Sequence, residues 1–215
     1  MERYFILGDF NTYYDWNLIL TAKDITPPEI KTNYVELDGA SGSLDLTEAL
    51  SGEPTYKDRK ITATFWTDKG NRAEREKLLR EITIALHGRK IKVIEPDDPT
   101  HYFIGRISIK SVKNILPYLE FSIEVTCEPW RYSIDETCRI ITVSDTYVER
   151  DVVIWNEGAK TLCPNIRVIG DAEINGVKLT EGTWKIASVK LYHGANSIRI
   201  TGQATVEISY READL

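Results

Sequence analysis

Reactions at a protein surface need groups that ionise, attack or ligate, and in this chain of 215 residues they are few. His87, His101 and His193 fall at a helix end and in turns, with no ligand spacing between them. Cys127, Cys138 and Cys163 are odd in number, lack CxxC spacing and have no histidine nearby, which argues against a disulfide framework or a zinc site and for buried small apolar residues. Asp97 and Asp98 are an adjacent acidic pair, the residue types of a glycosidase, but Pro96 and Pro99 enclose them, and neighbours in a turn do not face each other across a substrate. We read them as turn formers. GxSxG, HExxH, P-loop and GxGxxG patterns are absent, so no catalytic, metal or cofactor-binding residue is assigned. The remaining candidates are aromatic: Trp155, Trp184 and Tyr192 are the types of a sugar platform, although Trp and Tyr on strands more often serve a core.

The elements that would hold these residues are legible in the pattern. Residues 71–86 predict a helix, with Leu78, Ile82, Ala85 and Leu86 on one face, Asn71 and Glu74 placed for a capping box, and Gly88 placed for a left-handed cap. The charge run RAEREKLLRE reads as the solvated face of that helix. Around it, residues 17–22, 29–37, 60–67, 90–95, 102–112 and 119–127 predict strands. Gly105 interrupts one of them, implying a bulge or a close backbone approach. Arg106, next to it, pairs with a carboxylate of its own subunit or across a subunit boundary, and both readings stand. The aromatic segment 1–16 either covers its own core or docks on a neighbour.

Between the predicted strands lies a glycine-broken stretch from Val35 to Phe65, whose middle carries Leu44, Leu46 and Leu50 in otherwise polar surroundings. A loop of that length is a binding loop or a disordered one. We expect contact with another subunit to order it.

After EPWRY (residues 128–132) and a polar stretch at 133–136, the pattern changes to short strands, at 147–155, 165–170, 172–179, 183–191, 197–201 and 204–210. The turns NEGA, GD, NG, EG, HGAN and TG punctuate them, and Asn175-Gly176 is the strongest hairpin signal. This predicts two domains: an α+β domain over 1–133, an antiparallel sheet or split barrel with one helix, then a small all-β sandwich over 134–215.

Composition excludes other classes. Net charge is −6, spread evenly along the chain without a basic patch, which is a poor basis for gripping DNA. No stretch is apolar enough to span a membrane and the N-terminus lacks a cleavable leader, so synthesis and folding in the cytoplasm are expected.

GSLDLTEALSG, YKDRKITATF, LHGRKIKV and DDPTHYFIGRISI, in that order, resemble the N-terminal domain of the distal tail (Dit) proteins of long-tailed, siphovirus-type phages and prophages. The similarity continues through EFSIEVTCEPWRY, and YHGANSIRITGQATVEISYRE resembles the close of that family's galectin-like second domain. The resemblance implies a non-enzymatic homo-hexameric ring at the virion tail tip. It joins the tail tube protein to the tail-associated tip protein and to receptor-binding or other baseplate proteins, and DNA passes through its channel without specific binding. Leu44, Leu46, Leu50 and Arg106 are then the expected subunit-interface residues. The alternative is carbohydrate binding by the C-terminal sandwich.

Overall fold

The computed structural model describes residues 3–39 and 41–215. Met1 and Glu2 of the expected aromatic segment, and Ala40 in the central loop, lie outside the described residues, as do the side chains of Thr146 and Tyr147. Among the described residues the chain is mostly strand with one helix. It falls into two compact units, residues 1–131 with 215, and residues 132–214.

The first unit contains β1 (Ile6–Leu7), β2 (Phe10–Asn11), β3 (Ile19–Ile25), β4 (Tyr34–Glu36), β5 (Ser43–Asp45), β6 (Arg59–Thr67), α1 (Arg72–Leu86), β7 (Lys90–Glu95), β8 (Asp98–Ile115) and most of β9 (Tyr118–Ser133). An antiparallel sheet runs in the order β2-β1-β7-β8-β9-β6-β3. Period-two alternation sends Ile61, Ala63 and Phe65 of β6 and Phe121, Ile123 and Val125 of β9 to one buried face, while Thr62, Thr64 and Glu124 stay on the polar one. The helix lies on the buried face. Ile82 and Leu86 enter the core and Leu78 packs at its margin, as the spacing predicts. Its start is the expected capping box: the Asn71 side chain accepts from the backbone N–H groups of Ala73 and Glu74 at 2.9 and 3.1 Å, and Glu74 accepts from the Asn71 N–H at 2.7 Å. Gly88 has φ +77° just after the helix, and its N–H reaches the carbonyl of Ile107.

Three expectations are corrected or decided here. The aromatic segment covers its own core, with Phe5 and Trp16 buried and Phe5 edge-on to Phe65 at 6.1 Å. The helix charge run is not wholly solvated: Arg75 is 2% exposed, donating to the carbonyls of Gly70 (2.7 Å) and Pro117 (3.1 Å) and to Asn114 Oδ1 (3.3 Å). It thereby ties the helix start to the β8–β9 turn. Residues 29–37 do not join the main sheet, since β4 pairs only with β5.

In the second unit β10 (Thr137–Asn156), β11 (Asn165–Ile174), β12 (Val177–Leu179), β13 (Gly182–Trp184) and β14 (Gly194–Tyr210) form one sheet in the order β10-β14-β11-β12, with β13 also on β11. The Asn175-Gly176 hairpin is where the sequence predicts it, with φ of 48° and 83° and Ile174 opposite Val177. The expected breaks at Gly170-Asp171 and Thr201-Gly202 are not turns. β11 and β14 continue unbroken through them, and six short strands become fewer, longer ones. Gly202 (φ +123°) lies opposite Ala172, and a Cβ there would stand 2.3 Å from the Asp171 carbonyl oxygen. Gly170 is its mirror, 2.4 Å from the Gln203 oxygen, and the β10 register shifts between Asp145 and Arg150 alongside. Along this line the sheet bends. The bend lets Ile141 and Val143 from one half of β10 share a core with Ile154 from the other. Residues 183–191, expected as one strand, keep only β13 and a bridge between Leu162 and Leu191.

Asn156, fully buried, organises the following loop by donating to the carbonyls of Lys160 (3.0 Å) and Leu191 (3.1 Å) and accepting from the Gly158 N–H (3.1 Å). Truncating a buried isoleucine leaves a cavity that the surrounding side chains only partly refill. Ile82→Ala should therefore cost about 2–5 kcal/mol, read as a lower urea midpoint with unchanged slope.

Candidate assembly surfaces

Residues 26–58 form an arm held by its own hydrogen bonds. Lys31 N–H donates to the Thr55 carbonyl and Lys57 N–H to that of Glu29, Ile30 bridges Tyr56, and β4 and β5 pair beyond them. Asn33 N–H donates to Thr47 Oγ1 at 3.1 Å, and Leu46 N–H to the Asn33 carbonyl at 2.8 Å. A two-stranded ribbon has no second layer, so its apolar side chains find no cover within it. Leu50 is fully exposed, Leu44 about half exposed and Leu46 half-buried. Reading the residues as sequence overlooked their partners: Ile30, Tyr34, Val35 and Leu37 are exposed on the same arm, with Val35 directly opposite Leu44. The alternation in YVEL was the available signal, and assigning it to the main sheet hid it. An open cleft of roughly 660 Å³ runs along the arm, lined by Ile30, Tyr34, Asp45, Thr47 and Pro54.

Arg106 lies elsewhere, on the polar face of the main sheet. Its Nη1 donates to the Gly88 carbonyl, so the charge is met by a backbone dipole. Across this face opposite charges pair between strands: Lys90 with Glu128 at 2.6 Å, Lys113 with Glu120 at 2.9 Å, and Lys60 with Glu124 at 3.8 Å.

The groups considered for catalysis are engaged in structure. Asp97 accepts from Lys23 and Arg3, which hold its carboxyl below the usual range. For Asp98 burial works upward, but bonds from Thr100 (2.7 Å) and His101 outweigh it and the carboxyl is again lowered. The pair thus points at different partners. His87 Nδ1 accepts from the Ile109 N–H, and His193 contacts the Gly158 carbonyl. Among the described residues no group of three His, Cys, Asp or Glu could hold a metal. The cysteines are not uniformly buried: Cys127 is, and burial pushes its thiol up to about 12, but Cys138 is exposed and Cys163 half-buried. Trp155, Trp184 and Tyr192 are exposed, against the expectation that they serve a core. Trp155 on β10 and Trp184 on β13 stand at opposite edges of the sheet.

Against solved structures, the chain is similar over its full length to the Dit protein (gp 19.1) of SPP1, described as a paradigm of the hub adsorption apparatus in phages that infect Gram-positive bacteria. The TM-score is 0.73 at 11% identity, covering 98% of this chain and 99% of that one. The chain has the Dit fold. No family model and no curated protein matches the sequence. The Dit fold therefore rests on geometry alone, and it spans both units.

Because Asp97 and Asp98 are held below their ordinary values in the folded state, the stability they supply is present above about pH 4 and lost as pH falls through the lowered values. The melting temperature should fall on acidification below pH 4. Asp98→Asn should flatten that fall, as scanning fluorimetry across the acid range would show.

Proposed function

We propose that the chain is a non-enzymatic structural subunit of a phage tail tip. In this reading it forms a closed homo-hexameric ring between the tail tube protein on one side and the tail-associated tip and receptor-binding or other baseplate proteins on the other. The observation that carries the proposal is the full-length Dit fold together with an arm that exposes Ile30, Tyr34, Val35, Leu37, Leu44 and Leu50. A ring requires two unlike surfaces meeting head to tail, and a projecting ribbon seated on a neighbour provides one of them. Leu44, Leu46 and Leu50 would then be interface residues, joined by Tyr34, Val35 and Leu37. Arg106 would face the channel rather than the neighbour, because it sits on the polar sheet face. Opposite charges already paired on that face would leave DNA little net charge to bind.

In the same reading residues 1–133 are a ring-forming domain and residues 134–215 a peripheral galectin-like domain. Each unit having a core of its own supports this. Carbohydrate binding by the second domain is the other reading, favoured by the exposure of Trp155, Trp184 and Tyr192, and a glycan array tests it. The placement of Trp155 and Trp184 at separate edges weakens it.

Light scattering and negative-stain imaging of the purified chain should show a six-fold ring with six times the monomer mass of 24.6 kDa. Leu50→Asp should weaken association while leaving the melting temperature unchanged, since substituting a fully exposed side chain costs the monomer about 0.5 kcal/mol or less. A fragment ending at Ser133 should fold and still associate, and one starting at Thr137 should stay monomeric. Loss of association in the first fragment, with its fold intact, would move the ring contacts into the second unit.

A further inference from the structure

One cluster in the first unit is not accounted for by packing or by the ring. At one end of the buried sheet face, Arg59 of β6 is 5% exposed and lies over the Phe103 ring at 5.2 Å. Its strand partner on β9 is Cys127, and Arg131 follows four residues later on the same face of that strand. Among the described residues, the Nε and Nη2 atoms of Arg59 and the Nε of Arg131 are buried without any hydrogen-bond partner. These atoms are not an arbitrary set. Nε and Nη2 form one edge of the guanidinium, the edge that takes two oxygens of an oxyanion side-on.

No anion of the chain fills that role. Cys127 stays a neutral thiol, its pKa pushed up to about 12 by burial. Asp98 is the carboxylate that reaches Arg131, but only at 3.4 Å, and it is already engaged by Thr100 at 2.7 Å and by His101. Asp58 and Glu128 also act on Cys127 through their charge, yet among the described residues no carboxylate bonds the Nε or Nη2 of Arg59. Burial pushes the Arg59 pKa down, and the neighbouring charge of Arg131 adds to it. Such an arrangement costs stability unless a counter-charge completes it. Arg131 is the accessible member of the pair, its side chain 36% exposed against 5% for Arg59.

We propose that Arg59 and Arg131 form a binding site for one oxyanion presenting two coplanar acceptor oxygens, a carboxylate or a phosphate, which enters as Arg131 gives up its long contact to Asp98. Two sources share this chemistry: a small anion in solution and a carboxylate side chain of a second copy of the chain. The site does not depend on the ring proposed above.

The test has two arms on the full chain. In the first, melting temperature is followed while sodium phosphate, or separately acetate, replaces chloride at constant ionic strength. The expected result is a saturable rise on the order of a few degrees. It should vanish in Arg59→Lys, which keeps the charge but loses the side-on edge, and in Arg59→Met, which removes both. In the second arm, sedimentation velocity compares wild type with the two variants. Weaker association at an unchanged monomer melting temperature, without an anion response, assigns the oxyanion to a second copy. Wild type that responds to neither anion, with association equal in all three proteins, overturns the proposal. An identical anion response in wild type and Arg59→Lys also overturns it.

Discussion

The register between β6 and β9 is the constraint on which the first unit depends. Phe65 stands opposite Phe121, Ala63 opposite Ile123 and Ile61 opposite Val125, so every inward residue of one strand meets an inward residue of the other. A slip of one position by either strand would turn that strand's whole inward row to the opposite face. Because the row is continuous, it offers a flat apolar surface, and Ile82 and Leu86 of the helix land on it. Gly105 on β8 follows from the same closeness: a Cβ there would come within 2.6 Å of Cys127 Sγ and Val125 Cγ1.

That core is also organised by two buried cations of different character. Arg75 is mainly a structural clamp, donating to backbone carbonyls beside the helix start and in the β8–β9 turn, where Asn114 adds a second tether through the Arg72 carbonyl. Arg59 leaves its buried Nε–Nη2 edge unmet. The contrast shows why burial of a charge says little alone. What matters is which of its donors are met, since an unmet buried donor costs on the order of 1–3 kcal/mol and a met one is near neutral or stabilising.

The arm and the second unit solve the same problem in opposite ways. A sheet must cover one face, and the second unit does so by bending, with Gly170 and Gly202 allowing backbones to approach more closely than any side chain would permit. The arm has two strands and no bend. Its apolar residues stay outside, which is why the assembly reading falls on it and not on the main sheet.

Much of the local structure was determined by the sequence alone: the helix with its capping box, the alternation of β6 and β9, the Asn175-Gly176 hairpin and the turn at Pro96-Asp97. These depend on interactions within a few residues, or on a period that the burial of one face enforces. The order of motifs also carried the Dit resemblance, which the full-length structural match bears out at the level of fold. Tertiary structure alone decided the rest. Glycines in GD and TG read as turns, yet positive φ serves a bend as well as a turn, and only the neighbouring strand determines which. Arg75 and Arg80 look alike in a helical charge run, but a turn 42 residues downstream, at Pro117, buries the first. YVEL has the alternation of a sheet strand, and whether such a strand joins a sheet or projects as a ribbon depends on which partner it pairs with. Pairing is a long-range choice that local pattern does not contain.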